Sequence, residues 1–163
     1  MSSTLPTNPF VILDPYSRWA PSKEELSHKA YETLLPPLVH KIRLAVKKWR
    51  DNNYEGASKT SKSLLNYWFN TEHKINDVEF KYYFCQREAI ESIIYLYEVA
   101  KARDKYELMR FDSSGRVSTG HFQENWCRYV IKMATGSGKT KVISLVIVWS
   151  YFHKLYERGS PLS

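Results

Sequence analysis

Eight consecutive residues, Met133-Ala134-Thr135-Gly136-Ser137-Gly138-Lys139-Thr140, constrain this chain more than any other feature. They follow an apolar run, Tyr129-Val130-Ile131, and precede a strongly apolar segment at 142–152. An apolar strand, a glycine-rich turn, Gly-Lys-Thr and then a helix is the order of a phosphate-binding loop. The first turn of a helix offers unpaired N–H groups and the positive end of a dipole, and so favours an anion. Side chains must not intrude where backbone wraps phosphate, and Gly136, Ser137 and Gly138 meet that need. Glycine also tolerates the positive φ of such a turn. The Lys139 ammonium is expected to reach the β- and γ-phosphates, and the Thr140 hydroxyl to sit on Mg²⁺.

The strict pattern begins with a glycine where this chain has Met133. A chance Gly-x-Gly-Lys-Thr in an ordinary loop is the alternative, and the flanking apolar segments argue against it. A dinucleotide fingerprint needs a third glycine where Lys141 stands.

Composition narrows the class. The chain has 163 residues, one domain's worth or one small domain plus part of another. With 43% hydrophobic and 15% aromatic residues it is not a disordered tail. A net charge of +7 and a pI of about 9.3 favour an acidic partner such as DNA. Lys47, Lys48, Arg50, Lys59 and Lys62 are interleaved with Trp49, Tyr54 and Trp68, which suits a nucleic-acid surface; the alternative is a solvated helix face. Cys85 and Cys127 lack CxxC spacing and read as reduced thiols of a cytoplasmic protein. His28, His40, His73, His121 and His153 lack metal-ligand spacing. There is no signal-peptide pattern, and the apolar run at 142–152 is too short to span a bilayer.

Residues 1–22 are proline-dotted and read as extended, and 23–74 read as helical, with Pro36-Pro37 breaking the run. Leu38, Ile42, Ala45, Val46 and Trp49 recur at helical spacing, and Asp51-Asn52-Asn53 and Gly56 end that helix. Residues 61–69 predict a second helix carrying Leu64, Leu65, Trp68 and Phe69. From 75 the pattern changes to that of a nucleotide-binding α/β domain. Val78, Phe80 and Tyr82 alternate as a short strand. A helix opens at Gln86 with Ala89, Ile93, Leu96, Tyr97 and Ala100 on one face. Asp112-Ser113-Ser114-Gly115 suggests a turn within a hairpin spanning 107–119. Residues 126–133 predict the strand feeding the loop, and the helix after it is expected to end near Arg158.

Phe84-Cys85-Gln86-Arg87-Glu88-Ala89-Ile90, together with the loop at 133–140, resembles the superfamily 2 helicase-like motors. Within these the chain is most similar to the type III restriction-enzyme res (motor) subunits and their relatives. Such motors use the loop variant found here. The resemblance covers about 80–158. The segments at 14–19, 54–58 and 65–69 also resemble the helical leader of restriction-type members. It implies that Gln86 reads the adenine edge, a task that suits a carboxamide's adjacent donor and acceptor. Phe84 is then expected to pack near the base. ATP and Mg²⁺ are the implied cofactors, held by Gln86, Thr135, Gly136, Ser137, Gly138, Lys139 and Thr140. Lys139 has the catalytic role and Thr140 is the metal contact. The implied partners are duplex DNA and a modification or specificity subunit.

Hydrolysis by such a motor also needs a later acidic pair for Mg²⁺ and an arginine finger from a second lobe. No Asp-Glu-x-His or Asp-Glu-x-Asp stretch occurs in the chain. Residues 10–14 are an apolar run ending in Asp14, but they precede the loop and run into Pro15, which excludes them as that metal-binding strand. The expected fold is α/β: an incomplete RecA-like P-loop NTPase domain at 75–163, preceded by a mostly helical region at 1–74. The expected function is the ATP-binding fragment of a DNA-dependent ATPase or translocase, a truncated product or split subunit with little turnover of its own. Two alternatives stay open: another P-loop NTPase or kinase, and a non-catalytic DNA- or protein-binding piece with a vestigial loop. The helix after the loop is apolar almost all round, so an exposed apolar patch is expected.

Overall fold

The computed structural model describes residues 8–15, 38–112, 129–157 and 159. These fall into two compact units, one within Met1–Ile12, Gly56–Ile94 and Ile131–Ser163, the other within Leu13–Glu55 and Tyr95–Val130.

The first unit holds the glycine-rich loop at 133–140. Helix α2, Lys59–Asn70 in chain order, starts where the Ser58 hydroxyl accepts from the Ser61 N–H. (Helix α1 belongs to the second unit.) A hairpin follows: β1, His73–Ile75, pairs antiparallel with β2, Val78–Phe80, with His73 opposite Phe80 and Ile75 opposite Val78. Asn76 and Asp77 form its two-residue turn with φ of 50° and 63°, the left-handed geometry that matches strand twist. Helix α3, Phe84–Ile94, comes next, and α5, Lys139–Tyr156, closes the unit. Helix α5 packs on both α3 and α2. Leu65, Ile90 and Ile94 are fully buried, and Phe84, Val142, Leu145 and Trp149 nearly so. The Trp149 indole N–H donates to the Ser61 hydroxyl at 2.8 Å in this interior.

In the second unit, helix α1, Val39–Asp51, buries Val46 and Trp49. It ends through Asn53 and Tyr54, both at positive φ, and the Trp49 indole N–H caps the turn by donating to the Glu55 carbonyl at 2.9 Å. Tyr95–Val99 is a π-helical turn. Helix α4, Lys105–Met109, begins at Asp104, whose side chain accepts from the Glu107 N–H. Leu96, Ala102 and Leu108 form a small core with Ile42, Tyr95, Phe111 and Tyr129 packed against it.

Both helices expected between 38 and 70 form, and the stripe on α1 is real, with Ala45 and Ile42 half-buried beside Val46 and Trp49. Three expectations are corrected. The helical region ends at Asn70 rather than Lys74, because His73, Lys74 and Ile75 find strand partners in β2. The first arm of the hairpin expected at 107–119 is helical instead, since the Asp104 cap nucleates α4; residues 113–119 lie outside the described set. The strand expected at 126–133 is not assigned at 129–133: a strand is a hydrogen-bonded ladder, and no partner for it lies among the described residues. Residues 126–128 lie outside that set, as do 16–37 and Arg158. Helix α3 buries Ala89, Ile90 and Ile94, with Ile93 half-buried; Leu96 belongs to the π-helical turn. No helix of the described residues is long and apolar enough to cross a membrane.

Candidate functional site

The loop is built around one carbonyl. Ala134 O accepts from the Ser137 N–H at 3.3 Å, from the Ser137 hydroxyl at 2.6 Å and from the Lys139 ammonium at 3.0 Å. The turn therefore closes on itself between Ala134 and the first residue of α5. Gly136 and Gly138 take φ of 79° and 78°, a region costly to any residue with a Cβ. A Cβ on Gly136 would meet open space, so that glycine is required by backbone angle alone. At Gly138 a Cβ would also lie 2.2 Å from Gln86 Nε2. Gly138 is the N-cap of α5, an 18-residue helix with no acidic residue in its first turn. The positive end of that helix thus faces a loop of exposed Thr135, Gly136, Lys139 and Thr140. Such a surface favours an anion.

Gln86 is buried, only 5% exposed. Its Oε1 accepts from the Tyr83 N–H at 3.0 Å, capping the start of α3, and its Nε2 donates to the Ser137 carbonyl at 2.9 Å. The carboxamide thus bridges helix α3 and the loop. Neighbouring Cys85 is exposed, with its Sγ 4.0 Å from the same carbonyl. The structure brings Gln86 together with Ser137, Gly138 and, through the Ala134 turn, Lys139.

At the start of α3, where Phe84 and Arg87 line it, lies a pocket of about 170 Å³ whose aromatic walls also include Phe69, Phe80 and Tyr82. Sequence reasoning named Phe84 and missed the others. The alternating Phe80 and Tyr82 were read only as strand, and Phe69 only as core. Phe69 and Tyr82 meet edge-on at 5.5 Å, and Phe80 and Tyr82 at 4.9 Å. The Arg87 guanidinium lies 5.0 Å from the Phe69 ring centre, and its Nε donates at 2.8 Å to Glu91, which is fully buried. The Lys141 ammonium, on the first turn of α5, lies 5.3 Å from the Phe80 ring centre. Burial pushes the Tyr82 phenol above its ordinary range, so it stays a neutral hydrogen-bonding group.

Of the basic-aromatic stretch, Trp49, Tyr54 and Trp68 are all buried, and Trp68 lines the pocket. No cluster of three or more metal-binding side chains occurs among the described residues, including around Thr140.

A glycine turn feeding the N-terminus of a long helix, braced by a buried glutamine from a preceding helix, has the geometry of the loops with which nucleotide-using proteins hold phosphate. The family of the type III restriction enzyme res subunit matches residues 77–159, just over half of the chain, and the chain belongs to that family of helicase-like ATPase motors. The matched span contains β2, α3, the pocket's Phe80, Tyr82, Phe84 and Arg87, and the whole loop. No curated protein and no solved structure matches the chain.

Proposed function

We propose that this chain is the ATP-binding part of a DNA-dependent ATPase or translocase, a helicase-like restriction motor. The observation that carries the reading is the loop itself. Two glycines hold left-handed angles, one with open space outside it, at the N-terminus of an exposed helix start. The residues fit a triphosphate. Backbone at Thr135, Gly136, Ser137 and Gly138 wraps its charge, and Lys139 leaves the Ala134 carbonyl for the phosphates. Thr140 offers a hydroxyl oxygen to Mg²⁺, which supplies charge neutralisation at the phosphates when bound. The Phe69, Tyr82 and Phe84 pocket takes the flat, apolar face of the base, with Arg87 also in its lining. A volume of about 170 Å³ suits one ring system and not a whole nucleotide, which supports a reading with the phosphates outside it.

Family membership and the +7 charge support duplex DNA as the partner on which the motor acts, with a modification subunit beside it. Titration calorimetry with Mg-ATP tests the reading. Lys139→Ala removes a charge-assisted contact of roughly 1.5–3 kcal/mol and weakens binding about 10- to 100-fold. Intact chain that binds no nucleotide, or a Lys139→Ala variant that binds as well, overturns it.

A further inference from the structure

Helix α3 begins with N–H groups that its own turns cannot satisfy. The one at Phe84 donates at 2.9 Å to the carbonyl of Pro9, from far earlier in the chain. Around Pro9 the backbone is folded into a short turn. The Asn8 side-chain carbonyl accepts from the Phe10 N–H at 3.0 Å, and its main-chain carbonyl accepts from the Val11 N–H at 3.4 Å. The Phe10 ring then meets the Tyr83 ring at 5.3 Å. This docking puts Phe10 and Ile12 in the lining of the aromatic pocket, and leaves Val11, between them, out of it. The lining residues Trp68 and Phe84 are buried, whereas Phe10 and Ile12 are 45% and 52% exposed. They are the part of the apolar lining that a flat ligand can still cover, and covering apolar surface is favourable.

We infer that residues 8–12 form the outer wall of the base pocket, with Phe10 and Ile12 in contact with the base itself. The inference rests on the nucleotide-binding reading and deepens it by adding two ligand contacts from a segment outside the matched span of 77–159. The Pro9 carbonyl holds the wall to the start of α3, the same place from which Phe84 and Arg87 enter the lining. An aromatic or aliphatic wall needs only the π face that every base has, so this one adds affinity for a base without choosing among bases.

The full chain is compared with Phe10→Ala and Ile12→Ala, which cut back the wall, and with Val11→Ala, which trims a comparably exposed neighbour outside the pocket. Affinities for ATP, GTP and inorganic tripolyphosphate are read by titration calorimetry. Hydrogen exchange of the Phe84 amide reports whether the segment stays docked. Phe10→Ala is expected to weaken ATP and GTP by about tenfold each, the size of one base–aromatic contact, with tripolyphosphate unchanged. Ile12→Ala should weaken the same two by a smaller factor with the Phe84 amide as slow as in the parent, and Val11→Ala should weaken none. If Phe10→Ala and Ile12→Ala bind ATP as the parent does, the inference is overturned and the nucleotide-binding reading stands. A loss shared by tripolyphosphate, or reproduced by Val11→Ala, or seen only where the Phe84 amide has sped up, also overturns it, since each marks a support of the fold and not a wall on the base. A parent chain that binds ATP no more tightly than tripolyphosphate leaves the pocket without a base and overturns the inference alone. A parent that binds none of the three overturns the nucleotide-binding reading, and this inference with it.

Discussion

At residue scale, the site turns on positions where one atom decides the conformation. Gly138→Ala introduces a Cβ at φ 78° and 2.2 Å from Gln86 Nε2. The left-handed angle alone costs roughly 1–2 kcal/mol, and the displaced Gln86 adds the loss of its bond to Ser137. The variant is expected to weaken nucleotide binding while leaving the helical circular dichroism signal intact, since α5 continues from Lys139 onward. Gly136→Ala meets no atom and so carries the angular cost only; a larger loss at 136 than at 138 in calorimetry would contradict this ordering. Trp149→Phe removes the donor to the buried Ser61 hydroxyl. A loss of about 1–2 kcal/mol in urea unfolding is expected, because a buried hydrogen bond is lost and the ring volume shrinks. The left-handed turn at Gly136 and Gly138 was legible in the sequence because glycine spacing is a backbone requirement. The burial of Gln86 was not, because a glutamine at a helix start reads as solvent-facing until the returning loop is seen to cover it.

At element scale, helix α2 shows how a distant residue completes a local signal. Ser58 caps it through Ser61, and the Glu157 carboxylate, just past the end of α5, accepts from the Thr60 N–H at 3.0 Å. An acidic group at a helix N-terminus is favoured by the dipole and by the orphan N–H groups there. Hydrogen bonding to Thr60 holds the Glu157 carboxyl below its ordinary 4.5, with His153 and Ser58 helping in the same direction. A depressed folded value means that the contribution is fully present above the unfolded value and is lost as pH falls through the folded one. Acidification below about 4.5 should therefore loosen the α2 start, and Glu157→Gln should flatten that part of the acid-unfolding curve while leaving neutral pH less affected. Ser58→Ala is expected to cost about 1 kcal/mol at any pH, read by denaturant unfolding. A Glu157→Gln chain with an unchanged acid midpoint would refute the capping role. The α1 and α2 stripes were legible from spacing alone. The β1 strand was missed although its turn was written in the chain: Asn76-Asp77 between apolar Ile75 and Val78 is a two-residue hairpin signal. Extending the helical pattern to Lys74 overlooked it.

At the scale of the whole molecule, the helix that follows the glycine-rich loop is covered on one side only. Helix α5 buries Val142, Leu145, Trp149 and His153, while Ile143, Ile147, Tyr151 and Leu155, spaced four apart along the opposite face, are each more than half exposed. The sequence announced this through the near-uniform apolar run at 142–152, since a surface helix of a globular domain keeps a polar face. It could not announce which face would be covered, because that depends on α2 and α3 arriving from elsewhere in the chain. Nor could it tell whether residues 129–133 would pair, since a strand is defined by its neighbour and not by its own composition. An apolar face of this kind drives association in water, with roughly 1.5–3 kcal/mol for each large aliphatic side chain that becomes covered. The double substitution Ile147→Glu and Tyr151→Lys places an i,i+4 ion pair on that face and should leave α5 helical. Analytical ultracentrifugation of the parent chain is expected to show concentration-dependent self-association that weakens by at least about tenfold in the variant, with binding of an apolar dye falling in parallel. Nucleotide binding should be retained, because both positions lie on the face turned away from α2 and α3 and well beyond the first turn of the helix. Unchanged self-association in the variant would show that this face is not what the molecule associates through.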